Sequence, residues 1–174
     1  MAAAFQAPLG QLEIVVRNAI HSALTIRAQT DQWWDANGLG VDPATAAHIR
    51  ALASRVRSRS GGRLTGDDVV PRLGFGFWCK MLDHHHEDLW RRVLRSVFPH
   101  LPPGAKRADL RRELDYLREF RNRVAHLERI YHRDLVADYD AILRCIAYLS
   151  PPVAVWVDDL SRVAEVLRQR PTRP

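Results

Sequence analysis

The segment Arg118–Leu135, REFRNRVAHLERIYHRDL, brings an arginine, an amide and an imidazole into one six-residue window: Arg121, Asn122 and His126. Those side-chain types suit attack on a phosphodiester without a metal. A histidine titrates near neutrality, so it can take the proton from an RNA 2′-hydroxyl or give one to the leaving 5′-oxygen. An arginine can grip the phosphate and offset charge on the pentacovalent transition state. An asparagine amide can orient the imidazole or hold a phosphate oxygen. The expected products are a 2′,3′-cyclic phosphate and a 5′-hydroxyl end, and DNA, lacking the attacking hydroxyl, should not be cut. Taken alone, R-N-x-x-x-H fits an ordinary solvated helix face better than a catalytic site.

A helix predicted from Lys106 to Tyr131 must position these groups. At ~100° per residue, Leu114, Leu117, Phe120, Val124, Leu127 and Tyr131 form an apolar stripe for a bundle core. Asn122 and His126 fall one turn apart on nearly the opposite side, and Arg121 flanks the stripe at ~140° from His126. Polar groups that face away from one core face solvent or a second subunit. Two such helices meeting across a two-fold axis would present both sets to one cleft, with one histidine as base and the other as acid.

The rest of the chain reads as more helix. Leu9–Gln29 repeats apolar residues at helical spacing, DQWWDANGLG breaks the pattern, and Asp42 before Pro43 is an N-cap and first-turn pair opening a helix through Val56. SRSGGRLTG is predicted as a loop. Helical pieces follow around Phe77–Leu82 and Leu89–Val97, and PHLPPG stops them. After the long helix come Leu135–Leu149, an interruption at Ser150-Pro151-Pro152, and one last helix ending before Pro171. No alternation of period two is seen. The expected fold is all-α, a single domain over residues 1–174 with five to seven helices.

The net charge of +6 and pI near 10.0 favour a polyanionic partner, although an Arg- and Ala-rich composition has the same effect without one. Cys79 and Cys145, far apart and without a CxxC partner, fit a reducing compartment. The first ten residues have no signal-peptide pattern, and no apolar run approaches a membrane span, so a cytoplasmic protein with no membrane partner is expected.

REFRNRVAHLERIYHRDL resembles the signature of HEPN-domain proteins, an Arg-polar-x-x-x-His on a late helix of an α-helical domain. More narrowly, the chain is similar to bacterial Abi-like (abortive-infection, AbiD/AbiF-related) proteins, through LEIVVRNAIHSAL near the start, LGFGFWCKML and the LW and VFP that follow it, and LSPPVAVWVDDLSRVAEVLRQRP at the end. The resemblance implies a HEPN-type bundle with peripheral helices, a homodimer that builds the composite site, and metal-independent RNA cleavage in phage defence or a toxin–antitoxin system. No cofactor is implied; an antitoxin or defence partner is. Carried onto matching positions, Arg121, Asn122 and His126 are catalytic. Glu13, Arg17 and Asn18 resemble the Abi-like E-x-x-x-R-N and would line the same cleft, with Arg123 and Glu128 as further RNA-binding or supporting residues; alternatively the first three form an intramolecular network tying the first helix to the long one. Leu127 and Arg129 depart from the AHHEP of relatives, and Glu128 stands where toxins silenced by AMPylation carry tyrosine, which argues against an antitoxin of that chemistry. A non-catalytic HEPN module that binds RNA or protein, and a purely structural dimerisation domain, are the competing expectations.

Other groups have plainer readings. Three adjacent histidines in DHHHED cannot converge on one ion from a helix, so a solvated, capped helix start is expected there. Trp33, Trp34, Trp78 and Trp90 are expected in the core rather than stacked on bases. Two basic clusters, Arg55, Arg57, Arg59 and Arg63 beside Gly61-Gly62, and Arg91, Arg92 and Arg95, could hold an RNA backbone or be merely solvated. His132 reads as a dipole partner near the end of the long helix.

Overall fold

The computed structural model describes residues 1–60 and 64–169. Gly61, Gly62 and Arg63 of the predicted basic loop lie outside it, as do the side chain of Arg59 and the predicted boundary at Pro171. Among the described residues there are helices and no strands: α1 (Ala2–Ala28), α2 (Pro43–Ser60), α3 (Gly66–Val69), α4 (Phe75–Lys80), α5 (Glu87–Arg92), α6 (Arg107–Ala125), α7 (Leu135–Leu149), α8 (Pro151–Leu160) and α9 (Val163–Arg168), with short 3-10 turns between several of them. The all-α expectation holds; nine helices replace five to seven because the short α3 was not predicted separately and the last predicted helix is divided into α8 and α9.

Helix α1 is the axis of the domain. Phe5, Leu9, Leu12, Val16, Ile20 and Leu24 recur every three or four residues and are all buried, against α4, α6, α7 and α8. The helix begins seven residues before the predicted Leu9 and runs through Pro8. Phe5 explains the extension, packing edge-on against Phe120 at 5.1 Å and Tyr139 at 6.2 Å, so burial offsets the hydrogen bond a helical proline forgoes. Trp33, Trp34, Trp78 and Trp90 are buried as expected. Cys79 and Cys145 are free and buried, and burial pushes the Cys79 thiol up to about 12 and that of Cys145 well above the ordinary value.

The predicted Asp42 cap holds, and Asp134 supplies a second that the sequence reading did not name. Asp42 Oδ2 accepts the Thr45 amide at 3.0 Å, and Asp134 accepts the Ala137 amide at 3.0 Å. Ser150 is extended and Pro151–Pro152 open α8, which folds back on α7 as a hairpin. The single last helix of the sequence reading is in fact two. Extended Ser161 separates α8 from α9, and its hydroxyl accepts the Val163 amide, local competition of the kind serine offers the helical ladder.

Candidate active site

Helix α6 buries Leu110, Leu114, Leu117, Phe120 and Val124 as its spacing predicts, but it ends at Ala125, six residues short of the predicted Tyr131. His126 is its C-cap. Leu127 turns into the left-handed region at φ 56°, its amide bonds the Val124 carbonyl at 3.2 Å, and the Glu128 amide reaches the Arg123 carbonyl at 2.9 Å. That pair of bonds is a Schellman stop built without glycine. Leu127 and Tyr131, assigned to the apolar stripe, are therefore exposed, at 77% and 51%, and Ile130 enters the core instead. His132 lies in the turn beyond α6, not near the end of that helix as predicted.

The cause lies further along the chain. Arg133 clamps buried Asp138 through two hydrogen bonds, Nε to Oδ2 at 2.7 Å and Nη2 to Oδ1 at 2.9 Å. Its guanidinium sits 4.7 Å from the ring centroids of both Tyr116 and Phe120, and the Tyr116 hydroxyl donates to Asp138 Oδ1. Bringing Arg133 back over α6 requires the chain to reverse after Ala125. No glycine or proline between Val124 and Arg133 announces this.

Around that turn the candidate residues separate into two sets. Asn122 and His126 stay one turn apart, joined through the His126 amide and the Asn122 carbonyl at 2.9 Å. Neither side chain bonds another described residue; His126 is exposed and Asn122 partly so. Arg121 leans the other way, its Nη2 3.1 Å from Glu13 Oε2 on α1. This is the tie between the first helix and the long one that the alternative sequence reading anticipates. Arg123 and Glu128 pair at 3.4 Å across the turn.

Arg17 and Asn18 do not join the group. Arg17 Nε donates to Asn18 Oδ1 at 3.0 Å, and neither bonds α6. Of the three α1 candidates, only Glu13 reaches α6, through Arg121.

The remaining candidates resolve more simply. His84 and His85 are exposed, but His86 is buried, against the expectation of a wholly solvated start, with Nδ1 3.2 Å from the Lys80 carbonyl; burial lowers its pKa. Asp83 pairs with Arg111 rather than capping. No cluster of three or more His, Cys, Asp or Glu among the described residues could hold a metal ion. Arg95 donates to the Phe98 and Leu101 carbonyls and Arg91 pairs with Glu87, while Arg55 and Arg57 are exposed. No helix among the described residues is long and apolar enough to cross a membrane.

Sequence reasoning passed over Arg133, which fixes the turn carrying His126. Its only signal was an arginine beside the Asp134 cap, five residues before an aspartate on a helix otherwise apolar toward the core. No protein-family model, curated protein or solved structure matches the chain.

Proposed function

We propose that the chain is a metal-independent endoribonuclease of the HEPN type, acting in phage defence or as the toxin of a toxin–antitoxin pair. The observation that carries this reading is the pairing of exposed His126 with partly exposed Asn122, one turn apart, their side chains bonded to nothing among the described residues, while the neighbouring Arg121 is turned to Glu13. Surface residues the fold does not use are available for a ligand. In the reaction, one His126 takes the proton from a 2′-hydroxyl, the 2′-oxygen attacks the adjacent phosphorus, and the 5′-oxygen departs with a proton from the other His126 of a homodimer. Arg121 holds the phosphate, which competes with Glu13 for the guanidinium, and Asn122 holds a phosphoryl oxygen or the imidazole.

Exposed apolar groups in the turn after His126 and at the start of the next helix support a second copy over this end of the molecule: Leu127, Tyr131 and Val136, the last 58% exposed in the first turn of α7. The Glu13–Arg121 ion pair favours a second reading, a non-catalytic HEPN module that binds RNA or a protein partner, because it gives Arg121 a structural task.

Chemistry at the scissile nucleotide separates the two. A synthetic RNA with one 2′-deoxy residue at a mapped cleavage position should resist cutting there and yield cyclic-phosphate ends elsewhere. Cutting at the deoxy position would contradict 2′-hydroxyl attack; binding without any cutting would favour the module.

A further inference from the structure

Beside the candidate active site runs an open groove of about 680 Å³ between α2, α4 and α6, within the size range of small-ligand sites. Its ionisable lining is mainly basic, with Lys80, Arg111 and Arg118 against Asp115. Arg111 is committed to Asp83 and Asp115, and Arg118 Nε to Asp115 at 2.7 Å. Arg118 also has Nη2 3.7 Å from Glu119. Lys80 is exposed and forms no ion pair among the described residues, so the charge most open to a ligand is its ammonium, with the loosely paired Nη2 edge of Arg118 beside it. Its backbone is held from behind, where the buried imidazole of His86 meets the Lys80 carbonyl, which can only accept.

One wall is aromatic. His48 of α2 and Phe77 of α4 lie nearly parallel, 21° apart with centroids at 6.3 Å, and both line the groove. Gly76 makes room for the basic side: a Cβ there would come within 3.3 Å of Arg118 Cδ, so a side chain would crowd Arg118 where it lies along α4. The floor also leads somewhere. On α6, Arg111, Asp115, Arg118 and Asn122 fall within about 60° of one another, and Arg118 precedes Asn122 by one turn. The groove therefore opens along the helix face that carries Asn122 and His126.

We infer that this groove binds a nucleotide, its base stacked on the His48–Phe77 face and its phosphate held by Lys80 and Arg118. A base can extend an aromatic stack whatever its identity, and an unpaired lysine beside a loosely paired arginine suits one phosphate. Two sources share that chemistry, a free nucleotide and a residue of an RNA strand. The strand rests on the ribonuclease reading and gives the groove the task of gripping RNA beside the scissile bond.

Binding, rather than cleavage, tests it. A labelled 2′-O-methyl RNA octamer cannot supply the attacking hydroxyl, so its anisotropy reports affinity alone; adenosine 5′-monophosphate is titrated in parallel by amide chemical shifts. Lys80→Glu and His48→Ala change exposed side chains and should keep the wild-type melting temperature. Each should weaken octamer binding by roughly tenfold, the loss expected of one stacked base or one phosphate grip. Monophosphate binding with the same dependence and no octamer binding would support the groove as a free-nucleotide site and detach it from RNA cleavage. Affinities for both ligands indifferent to Lys80 and His48 would overturn the proposal, even if His126-dependent cleavage is found. Loss of cleavage chemistry with groove binding intact would instead sink only the ribonuclease.

Discussion

Leu127 holds a conformation that costs an L-residue roughly 1–2 kcal/mol, and it does so with its side chain 77% exposed, so little burial offsets the strain. Leu127→Gly should raise the free energy of unfolding by up to about 1 kcal/mol, the gain limited by the entropy glycine adds to the unfolded chain. Urea unfolding with an unchanged slope checks this; a loss of stability would mean that the Leu127 side chain makes a contact worth more than the strain. His126→Ala beside it removes an exposed, unbonded ring and should leave stability within about 0.5 kcal/mol. Any loss of function in that variant is then chemical rather than structural. The spacing of Arg121, Asn122 and His126 was legible in the sequence, as was their escape from the buried stripe. The direction of Arg121 was legible only as one of two alternatives, because whether a flanking arginine meets a phosphate or Glu13 depends on a helix more than a hundred residues earlier.

At the scale of elements, the turn between α6 and α7 is held by Arg133 on Asp138, with Tyr116 completing the carboxylate's partners. Asp138 is fully buried, so Arg133→Ala would leave an unpaired charge in the core and should cost about 3–5 kcal/mol, seen as a lowered unfolding midpoint. A cost under 1 kcal/mol would show that the turn is held by other contacts. Helix α1 is keyed to its neighbours by another polar contact, in which Trp33 Nε1 donates to His21 Nδ1 at 3.0 Å. The imidazole must be neutral at Nδ1 to accept, and burial lowers its pKa from 6.5, as burial lowers that of His86. An unfolded chain then binds more protons than the folded one once pH drops below about 6.5, so stability is full above that value and is lost as pH falls toward the folded-state pKa values. Each histidine contributes at most about 1.4 kcal/mol per pH unit. His21→Gln, which keeps an acceptor for Trp33, should flatten the fall in unfolding free energy between pH 6.5 and 5; an unchanged slope would clear His21 of any part in it. Most helices and the Asp42 cap were legible from spacing and from Asp-Pro and Pro-Pro punctuation, whereas the Asp134 cap was not. The end of α6 was not, because the sequence between Val124 and Arg133 continues a helical pattern and the reversal is imposed by tertiary contacts of Arg133.

For the whole molecule, the shared site makes assembly and chemistry inseparable under the proposed mechanism, and Leu127, Tyr131 and Val136 are the exposed apolar groups of the turn after α6 and the start of α7 that a second copy would cover. Val136→Asp tests this without disturbing the fold, since an acidic group in the first turn of α7 is favoured by the helix dipole. The variant should sediment as a monomer and lose cleavage while keeping wild-type helicity; an active monomer would remove the shared-site mechanism. Helical spacing and the absence of strand patterning made the all-α class legible, but nothing in a single chain's spacing specifies how two copies meet. The most direct measurement uses purified wild type and His126→Ala with total bacterial RNA in excess EDTA, followed by analysis of the ends. Cleavage by wild type alone, leaving 2′,3′-cyclic phosphates, is the expected result. Intact RNA with both proteins, or equal cleavage by both, would contradict a ribonuclease built on His126.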